Sequence, residues 1–272
     1  MGLSLNTNVG AFVALQNLTK TTQRLEQTQL RITTGLRVNG PKDDGANYAI
    51  SQKIKGDIAG TESVKLALAN GDTIVNTAIS AGKSIADLLT EMKAKAVRAN
   101  QAGLDSASRT ALHNDFIRLR DQITTIVGTA EFNNTNLIST GALTLNVLSS
   151  VEGSTISVSA QIMDIDTLGI STAVLNTSAG AVNALTAINT AVSLVANKLA
   201  SLGSASKRVE IQSDFTVQLV DILKEGLGAL VDADLAEESA QLQALQIKEQ
   251  LGVQSLAIAN ARPLSILALF QQ

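Results

Sequence analysis

The chain has 272 residues and contains no cysteine and no tryptophan, one tyrosine, one histidine, two prolines and five phenylalanines. Each shortage excludes something. Without cysteine there are no disulfides and no thiolate metal sites. His113 stands alone, so motifs built on paired histidines are excluded and no convincing catalytic triad can be assembled. It lies beside Asn114 and Asp115 in a predicted helix and reads as a plain surface histidine. Aromatics are 2% of residues, which leaves the core to Ala, Leu, Ile and Val. Such small and aliphatic side chains suit helix packed on helix better than a broad globular interior. Excess charge of either sign is also missing, because 21 Lys and Arg stand against 24 Asp and Glu for a net charge of −3. With no basic cluster, no nucleic-acid partner is expected. The N-terminus lacks the basic region, apolar run and cleavage site of a secretory signal, its first positive charge being Lys20. If the chain leaves the cell, it does so by a route that reads no ordinary signal peptide. Thr167 to Asn197 is uncharged, but Asn176, Asn183, Thr186, Asn189, Thr190 and Ser193 interrupt it too often for hydrocarbon, and no membrane insertion is expected.

What is abundant is helical periodicity, and it is most unusual at the two ends. From Asp232 to Gln272, Ala240, Ala244, Ile247, Leu251, Gln254, Ile258, Ala261, Ser265 and Ala268 form one seam at steps of four and three. Leu235, Leu242, Leu245, Leu256 and Leu267 form a second row off that seam. From Gln250 onward the single charge is Arg262. An ordinary surface helix carries one apolar stripe and one charged face, whereas this one needs neighbours on more than one side. Met1 to Thr19 carries no charge and includes Leu3, Leu5, Val9, Phe12, Leu15 and Leu18. The pattern predicts that the termini pair with each other and with other copies.

Between the ends the chain alternates helix and punctuation. A first helix is predicted over Asn6 to Thr34, with Ala11, Leu18, Leu25 and Ile32 at heptad spacing. Gly35, Asn39, Gly40, Pro41 and Gly45 end it and make a linker. Asp44 to Asn100 is helical again, about 80 Å long if continuous. Its Gly56, Gly60, Gly71 and Gly82 each cost about 1 kcal/mol of helix propensity, and a break near Asn70 to Asp72 is a candidate. Asp105 or Ser106 caps the next helix, which carries Leu112, Phe116, Leu119, Ile123, Ile126 and Val127 and should fold back antiparallel along the rod. The period then drops to two in Leu143 to Val147 and Thr155 to Ser159, with Glu152, Gly153 and Ser154 as the turn, which predicts a small hairpin. Ser178 to Leu230 returns to helix, with Leu185, Ile188, Val192, Val195, Leu199, Leu202 and Val209 at heptad spacing. Asp232 or Asp234 can cap the last helix.

The fold class is therefore mainly α: an elongated antiparallel helical bundle or coiled coil built from both chain halves, with a small β-hairpin region at the tip. The expected divisions are 1–36 (inner-core helix), 37–45 (linker), 46–134 (rod), 135–177 (tip), 178–230 (rod) and 231–272 (inner-core helix). Candidate chemistry is thin. Asp43 and Asp44 could be a pair of acid–base carboxylates, but nothing near them supplies an electrophile stabiliser, and a helix N-terminal turn favours carboxylates anyway. Gly82, Lys83 and Ser84 match the end of a phosphate loop, yet Thr77 stands where its first glycine belongs and no strand precedes it. No catalytic, cofactor or metal residues are assigned.

Several separated motifs, in order, resemble bacterial flagellin. Leu30-Arg31-Ile32-Thr33-Thr34-Gly35-Leu36-Arg37-Val38-Asn39, followed by Lys42-Asp43-Asp44 and Ala49-Ile50-Ser51, is similar to the family's N-terminal signature. Phe132-Asn133 with Asn136-Leu137-Ile138 is similar to its entry to the hairpin. Ser201-Leu202-Gly203 with Arg208, Asp232-Ala233-Asp234, Gln246-Ile247 with Gln250 and Gly252, and Ala257 with Ala259-Asn260 and Pro263 follow its C-terminal pattern.

The resemblance implies a non-enzymatic subunit of the extracellular flagellar filament. Such a subunit is exported unfolded through the flagellar type III channel and self-assembles through paired terminal helices into a hollow tube for swimming motility. The expected self-assembly residues are Leu5, Val9, Phe12, Leu18, Leu25, Ile32, Leu242, Ile247, Leu251, Ile258, Leu267 and Phe270. The partners implied are further copies of itself, an export chaperone, the filament cap and hook-junction proteins. The short tip implies that the large outer domains of many flagellins are absent. The family's innate-receptor patch falls on Glu91, Lys95 and Asp115, where Glu91 replaces the key arginine and Lys95 a leucine, so weak recognition is expected. By the same analogy Ser171, Thr172, Thr177 and Ser178 are candidate O-glycosylation sites. Two alternatives remain open at this level: a hook-filament junction protein, and a coiled-coil adaptor or type III translocator.

Overall fold

The computed structural model describes the backbone of residues 7–269 and the side chains of residues 7–261. Its elements are helices α1 (Val9–Thr34), α2 (Gly45–Ala99) and α3 (Ser106–Thr129), strands β1 (Glu131–Phe132), β2 (Thr135–Asn136), β3 (Leu145–Leu148) and β4 (Thr155–Val158), and helices α4 (Ser178–Val231) and α5 (Leu235–Leu269). They divide into two units, one of residues 57–221 and one joining residues 1–56 to residues 222–272.

In the unit of residues 57–221, α2 and α4 run antiparallel. Ser178 donates to the Asn100 side chain at 2.9 Å and Ser206 to Asp72 at 3.2 Å, while Leu199 lies over Gly82. α3 returns along α2, with the Arg109 Nε on the Ala99 carbonyl at 3.0 Å and Lys95 on Asp115 at 2.7 Å. The buried row of α2 is Val64, Leu68, Val75, Ala78, Ile85, Leu89, Met92, Ala96 and Ala99, at the alternating threes, fours and sevens of a heptad seam. It meets Phe116, Ile123 and Val127 of α3 in a core shared with α4. On α4 the seam is rotated from the expected one: Ile188, Val195, Leu202 and Val209 are buried as expected, but Ala181, Ala184 and Ala191 join them, while Leu185, Val192 and Leu199 are half-buried. Alanines on both helices allow close axial approach, which is how a core almost without aromatic rings fills its volume.

The candidate break near Asn70 is absent, because α2 is one helix of 55 residues. Three of its glycines are seats for neighbours. A Cβ at Gly60 would lie 2.9 Å from Val151, one at Gly71 2.5 Å from Val147, and one at Gly82 2.7 Å from Leu199. The three stand eleven residues apart, close to three helical turns, so they share one face. Over Gly60 and Gly71 sits the hairpin of β3 and β4, and over Gly82 sit Leu199 of α4 and Met163; the hairpin is paired antiparallel with Leu145 opposite Val158 and Leu148 opposite Thr155. Gly153 in its turn has φ 92°, which only glycine adopts without strain.

A second strand pair, β1 with β2, escaped the sequence reading. Each strand has two residues, and the connecting Asn133 and Asn134 have φ of 49° and 61°. Both central residues of a type I′ turn need positive φ, and Asn tolerates it best after Gly. The segment from Ser159 to Thr177 is irregular but packed, with Met163, Leu168, Ile170 and Leu175 buried. Two contacts hold it on α3: Arg120 donates to the Ser171 carbonyl at 2.5 Å, and the Leu175 amide donates to His113 Nδ1 at 3.2 Å. His113 is therefore a half-buried acceptor and not a plain surface group. Burial, and then the Arg120 charge, push its pKa down.

Candidate self-assembly surface

The surface of interest is built from α1, α5 and the two short segments that lead out of them. α1 starts at Asn8, whose side chain accepts from the Ala11 amide, and ends at Gly35 with φ 71°, whose amide returns to the Arg31 carbonyl at 2.8 Å. This is the left-handed helix stop that glycine provides. α5 starts at Asp234, which accepts from the amides of Ala236 and Glu237. Of the two aspartates expected to cap it, Asp234 does so.

Asp44 and Asp43 also serve the backbone. Asp44 accepts from the Ala46 and Asn47 amides at the start of α2, and Asp43 from the Asn39 and Gly40 amides. The hydrogen bonds from Asn47 hold the Asp44 carboxyl below its ordinary range.

The exits from α1 and α4 pair with one another. Leu36 and Asp232 form an antiparallel bridge, the amides of Arg37 and Val38 donate to the Val231 carbonyl, and the Ala233 amide donates to the Gly35 carbonyl. The Arg37 guanidinium adds a bond to the Leu230 carbonyl at 2.8 Å.

Beyond this clasp, α1 and α5 lie antiparallel in constant register. Arg31 meets Glu238 at 2.8 Å, Leu18 packs on Gly252, and the Asn8 side-chain amide donates to the Ala259 carbonyl at 2.8 Å. Each residue of α1 thus faces the residue of α5 equally far from the clasp. Described residues buried in this unit are few: Leu25, Thr28, Val38, Ser51, Val231, Glu238 and Leu245.

This geometry sorts the expected assembly residues into two sets. Leu18, Leu25, Ile32 and Leu242 are buried or half-buried, and Leu18 marks their face as the one turned to the partner helix. Val9, Phe12, Ile247, Leu251 and Ile258 are 57–63% exposed, and Val13, Leu15 and Val253 join them. Val9, Phe12, Val13 and Leu15, with Gln16, Thr19 and Lys20, line an open, mostly apolar depression of ≈ 580 Å³. Leu5 and Phe270 fall outside the described residues, as does the side chain of Leu267. Sequence reasoning missed Asn8, Thr28, Arg31 and Glu238 because polar residues in a heptad read as solvated faces.

The remaining expected positions lie in the unit of residues 57–221. Glu91 is exposed, while Lys95 and Asp115 are tied to each other, and the hydrogen bond from Lys95 lowers the Asp115 pKa. Thr177 accepts from the Gly180 amide at the start of α4, Ser178 is bonded to Asn100, and Ser171 is half-buried with its carbonyl on Arg120. Thr172 is exposed.

Comparison with known proteins resolves what this helix pair belongs to. Family models match at both ends of the chain: the bacterial flagellin N-terminal helical region over residues 5–142 and the bacterial flagellin C-terminal helical region over residues 185–270. The chain belongs to the bacterial flagellin family. Flagellin FljM of Caulobacter vibrioides is 42% identical over 269 residues, covering 98% of each chain. A flagellin of Brucella melitensis is 36% identical over 284 residues, covering 98% of this chain and 99% of that one. A solved structure from Vibrio parahaemolyticus, assigned as a flagellar hook-associated protein, is 16% identical and shares the fold, with a TM-score of 0.58 over 70% of this chain and 100% of that one. The chain is thus a structural subunit of the extracellular flagellar filament and not an enzyme, in a short form with no large middle domain.

Proposed function

We propose that the chain enters the filament through the two faces of its terminal helix pair. The inner face, Leu18, Leu25, Ile32 and Leu242, joins α1 to α5 of the same subunit. The outer face, Val9, Phe12, Ile247, Leu251 and Ile258, meets the terminal helices of neighbouring copies, and Leu5, Leu267 and Phe270 are assigned to the same surface from sequence alone. The observation that carries this reading is the exposed apolar face, which carries no charge from Val9 to Thr19 and from Gln250 to Ala261: apolar rows without charge are poorly soluble unless covered.

Magnitudes favour cooperative growth. Completing the burial of the eight exposed apolar side chains is worth about 1–2 kcal/mol each, on the order of 10 kcal/mol in all. Association costs about 4–15 kcal/mol, so one neighbour covering part of the face holds a subunit weakly and several hold it firmly. The test is polymerisation of purified protein followed by sedimentation and negative-stain microscopy. Full-length protein forms filaments, and a chain lacking residues 251–272 forms none while keeping most of its helicity by circular dichroism. Filaments from the truncated chain would refute the reading.

Finer partners follow the family: an export chaperone covering the terminal helices before secretion, and the cap and hook-junction proteins at the two ends of the filament. The divisions 1–36, 37–45, 46–134, 135–177, 178–230 and 231–272 are proposed as its assembly segments. Recognition by the animal flagellin receptor is weak in this reading, because Glu91 presents the wrong charge and Lys95 already occupies Asp115. A reporter-cell assay at full potency would overturn that. Among the candidate glycosylation positions, Thr172 is favoured, since Thr177 and Ser178 use their hydroxyls locally and Ser171 is half-buried. Intact mass of native and Thr172→Ala protein tests this directly.

A further inference from the structure

We infer that the Arg31–Glu238 pair is the register key of the terminal helices: it selects one antiparallel alignment of α1 on α5 out of several that apolar packing alone would accept. The inference deepens the proposed assembly reading and rests on it for its consequence in the filament. The starting point is the poverty of the pair as a source of stability. The Glu238 side chain is 8% exposed and that of Arg31 27%, so the carboxylate is buried and the guanidinium half-buried, and they meet through one contact at 2.8 Å. Arg31 Nε and Glu238 Oε2 are both buried with no partner. A largely buried ion pair with unsatisfied atoms often contributes no more than well-packed apolar residues of similar volume. What such a pair does supply is discrimination between alignments, as a polar residue does in the seam of a coiled coil.

Apart from the seat of Leu18 over Gly252, the rest of the interface discriminates poorly. α5 carries two apolar rows, α1 repeats Leu18, Leu25 and Ile32 at heptad spacing, and the clasp of Leu36 with Asp232 is made by backbone atoms, which are blind to side-chain identity. Sliding by one heptad brings Arg31 opposite Val231 or Leu245, both buried. In the second case Glu238 faces the buried Val38, so both charges are stranded. In the first, Glu238 meets Arg24 while Arg31 is stranded on Val231. Of these alignments only the observed one pairs Arg31 with Glu238.

The absence of native cysteine makes the register directly readable. A Cβ at Gly252 would lie 3.7 Å from the Leu18 Cβ, close to the roughly 3.8 Å of a disulfide. Leu18→Cys with Gly252→Cys therefore reports the observed alignment. Leu18→Cys with Leu245→Cys reports the alignment slipped so that Glu238 reaches Arg24. Both pairs are placed in the full-length chain, polymerised, and oxidised, and intrachain cross-link is read on denaturing gels. With Arg31 and Glu238 intact, the first pair cross-links and the second does not. Arg31→Glu sets two carboxylates face to face, and the first cross-link falls by about tenfold or more while the second appears. The exchange Arg31→Glu with Glu238→Arg restores the first cross-link and the filaments, which a general loss of folding would not. Equal cross-linking of the first pair in the Arg31→Glu chain, or failure of the exchange to restore it, overturns the inference. Absence of filaments from the unmodified chain would instead overturn the assembly reading and leave the cross-link comparison decisive for register in the soluble chain.

Discussion

Gly71→Ala is the substitution on which helix propensity and tertiary packing give opposite answers. Gly71 sits inside α2, where alanine is favoured over glycine by about 1 kcal/mol. The new Cβ would lie 2.5 Å and 2.7 Å from the two methyls of Val147 and 3.2 Å from its Cβ. Because both methyls and the branching carbon are close, no rotation about χ1 clears the space, and the hairpin itself has to move. Val147 is buried in the middle of β3 and pairs with Ile156, so the movement disturbs a strand ladder. Overpacking of this kind costs about 1–3 kcal/mol, which exceeds the propensity gain at most of that range. The expected net effect lies between about zero and a destabilisation of about 2 kcal/mol. Gly56→Ala is the internal control, since it lies on the same helix with nothing within 4 Å of its Cβ, and should stabilise by up to about 1 kcal/mol. Denaturant unfolding of both variants separates the two effects. Val147→Ala in the Gly71→Ala background should recover stability, with an interaction energy of about 0.5–3 kcal/mol in the double-mutant cycle. If Gly71→Ala stabilised as much as Gly56→Ala, the seat assigned to the hairpin would be wrong.

Four further outcomes are expected. Ile188→Ala, which empties a fully buried position of α4, should cost about 2–5 kcal/mol by thermal unfolding, whereas half-buried Leu199→Ala should fall at the low end of that range. Asp105→Ala removes the acceptor for the Ser108 amide and hydroxyl and should fray the start of α3, seen as faster amide exchange over its first turn. The pH response of the segment on His113 has a definite sign. Its pKa is depressed from 6.5 in the folded chain, so on acidification the unfolded chain takes up the proton first and stability falls as pH drops below 6.5, levelling out beneath the folded value. Exchange at the Leu175 amide should accelerate from about pH 7.5 to about pH 5 once corrected for intrinsic rates, and an unchanged protection factor would count against the His113 contact. Asp44, with its pKa lowered by the Asn47 bonds, contributes stability that is present above the ordinary carboxylate pKa and lost as pH falls through the lowered one. Asp44→Asn should flatten that acid limb of the unfolding curve.

Heptads made most of this fold legible, because a long helix repeats its signal many times. The rows of α2 and α4 announce themselves even though the true seam of α4 is turned toward Ala181, Ala184 and Ala191. Where a feature rests on one or two residues, the signal was present but too short to stand out. The strands β1 and β2 have two residues each, and the adjacent Asn133 and Asn134 were their sole local sign. Gly60, Gly71 and Gly82 were legible as a cost to the helix and not as a gain, since propensity refers to one residue and a seat refers to its neighbour. Their spacing of eleven was the available clue. The clasp of Leu36 on Asp232 left no trace at all, because backbone hydrogen bonds impose little on side-chain identity.

The contrast between the two units explains why the candidate surface was the harder part to read. In the unit of residues 57–221 the heptad rows of α2, α3 and α4 meet in a shared core, so there periodicity and burial largely agree, although Leu66, Ile211 and Phe215 remain 55–68% exposed. In the unit of α1 and α5 they do not: the heptad of α1 is satisfied at Leu25, while Phe12 remains 63% exposed on a helix equally apolar there. Periodicity counts apolar residues but cannot say whether their partner lies in the same chain or in another. What distinguishes the two cases is the placement of charge. Arg31 and Glu238 lie in the covered half of the pair, near the clasp, where one chain supplies both partners. The stretch from Val9 to Thr19 and its counterpart from Gln250 to Ala261 carry none. A face that other copies are to cover in a closely packed tube cannot strand a charge that its own chain does not neutralise. In the proposed assembly, the lack of charge from Val9 to Thr19 and from Gln250 to Ala261 therefore marks the surface that other copies complete.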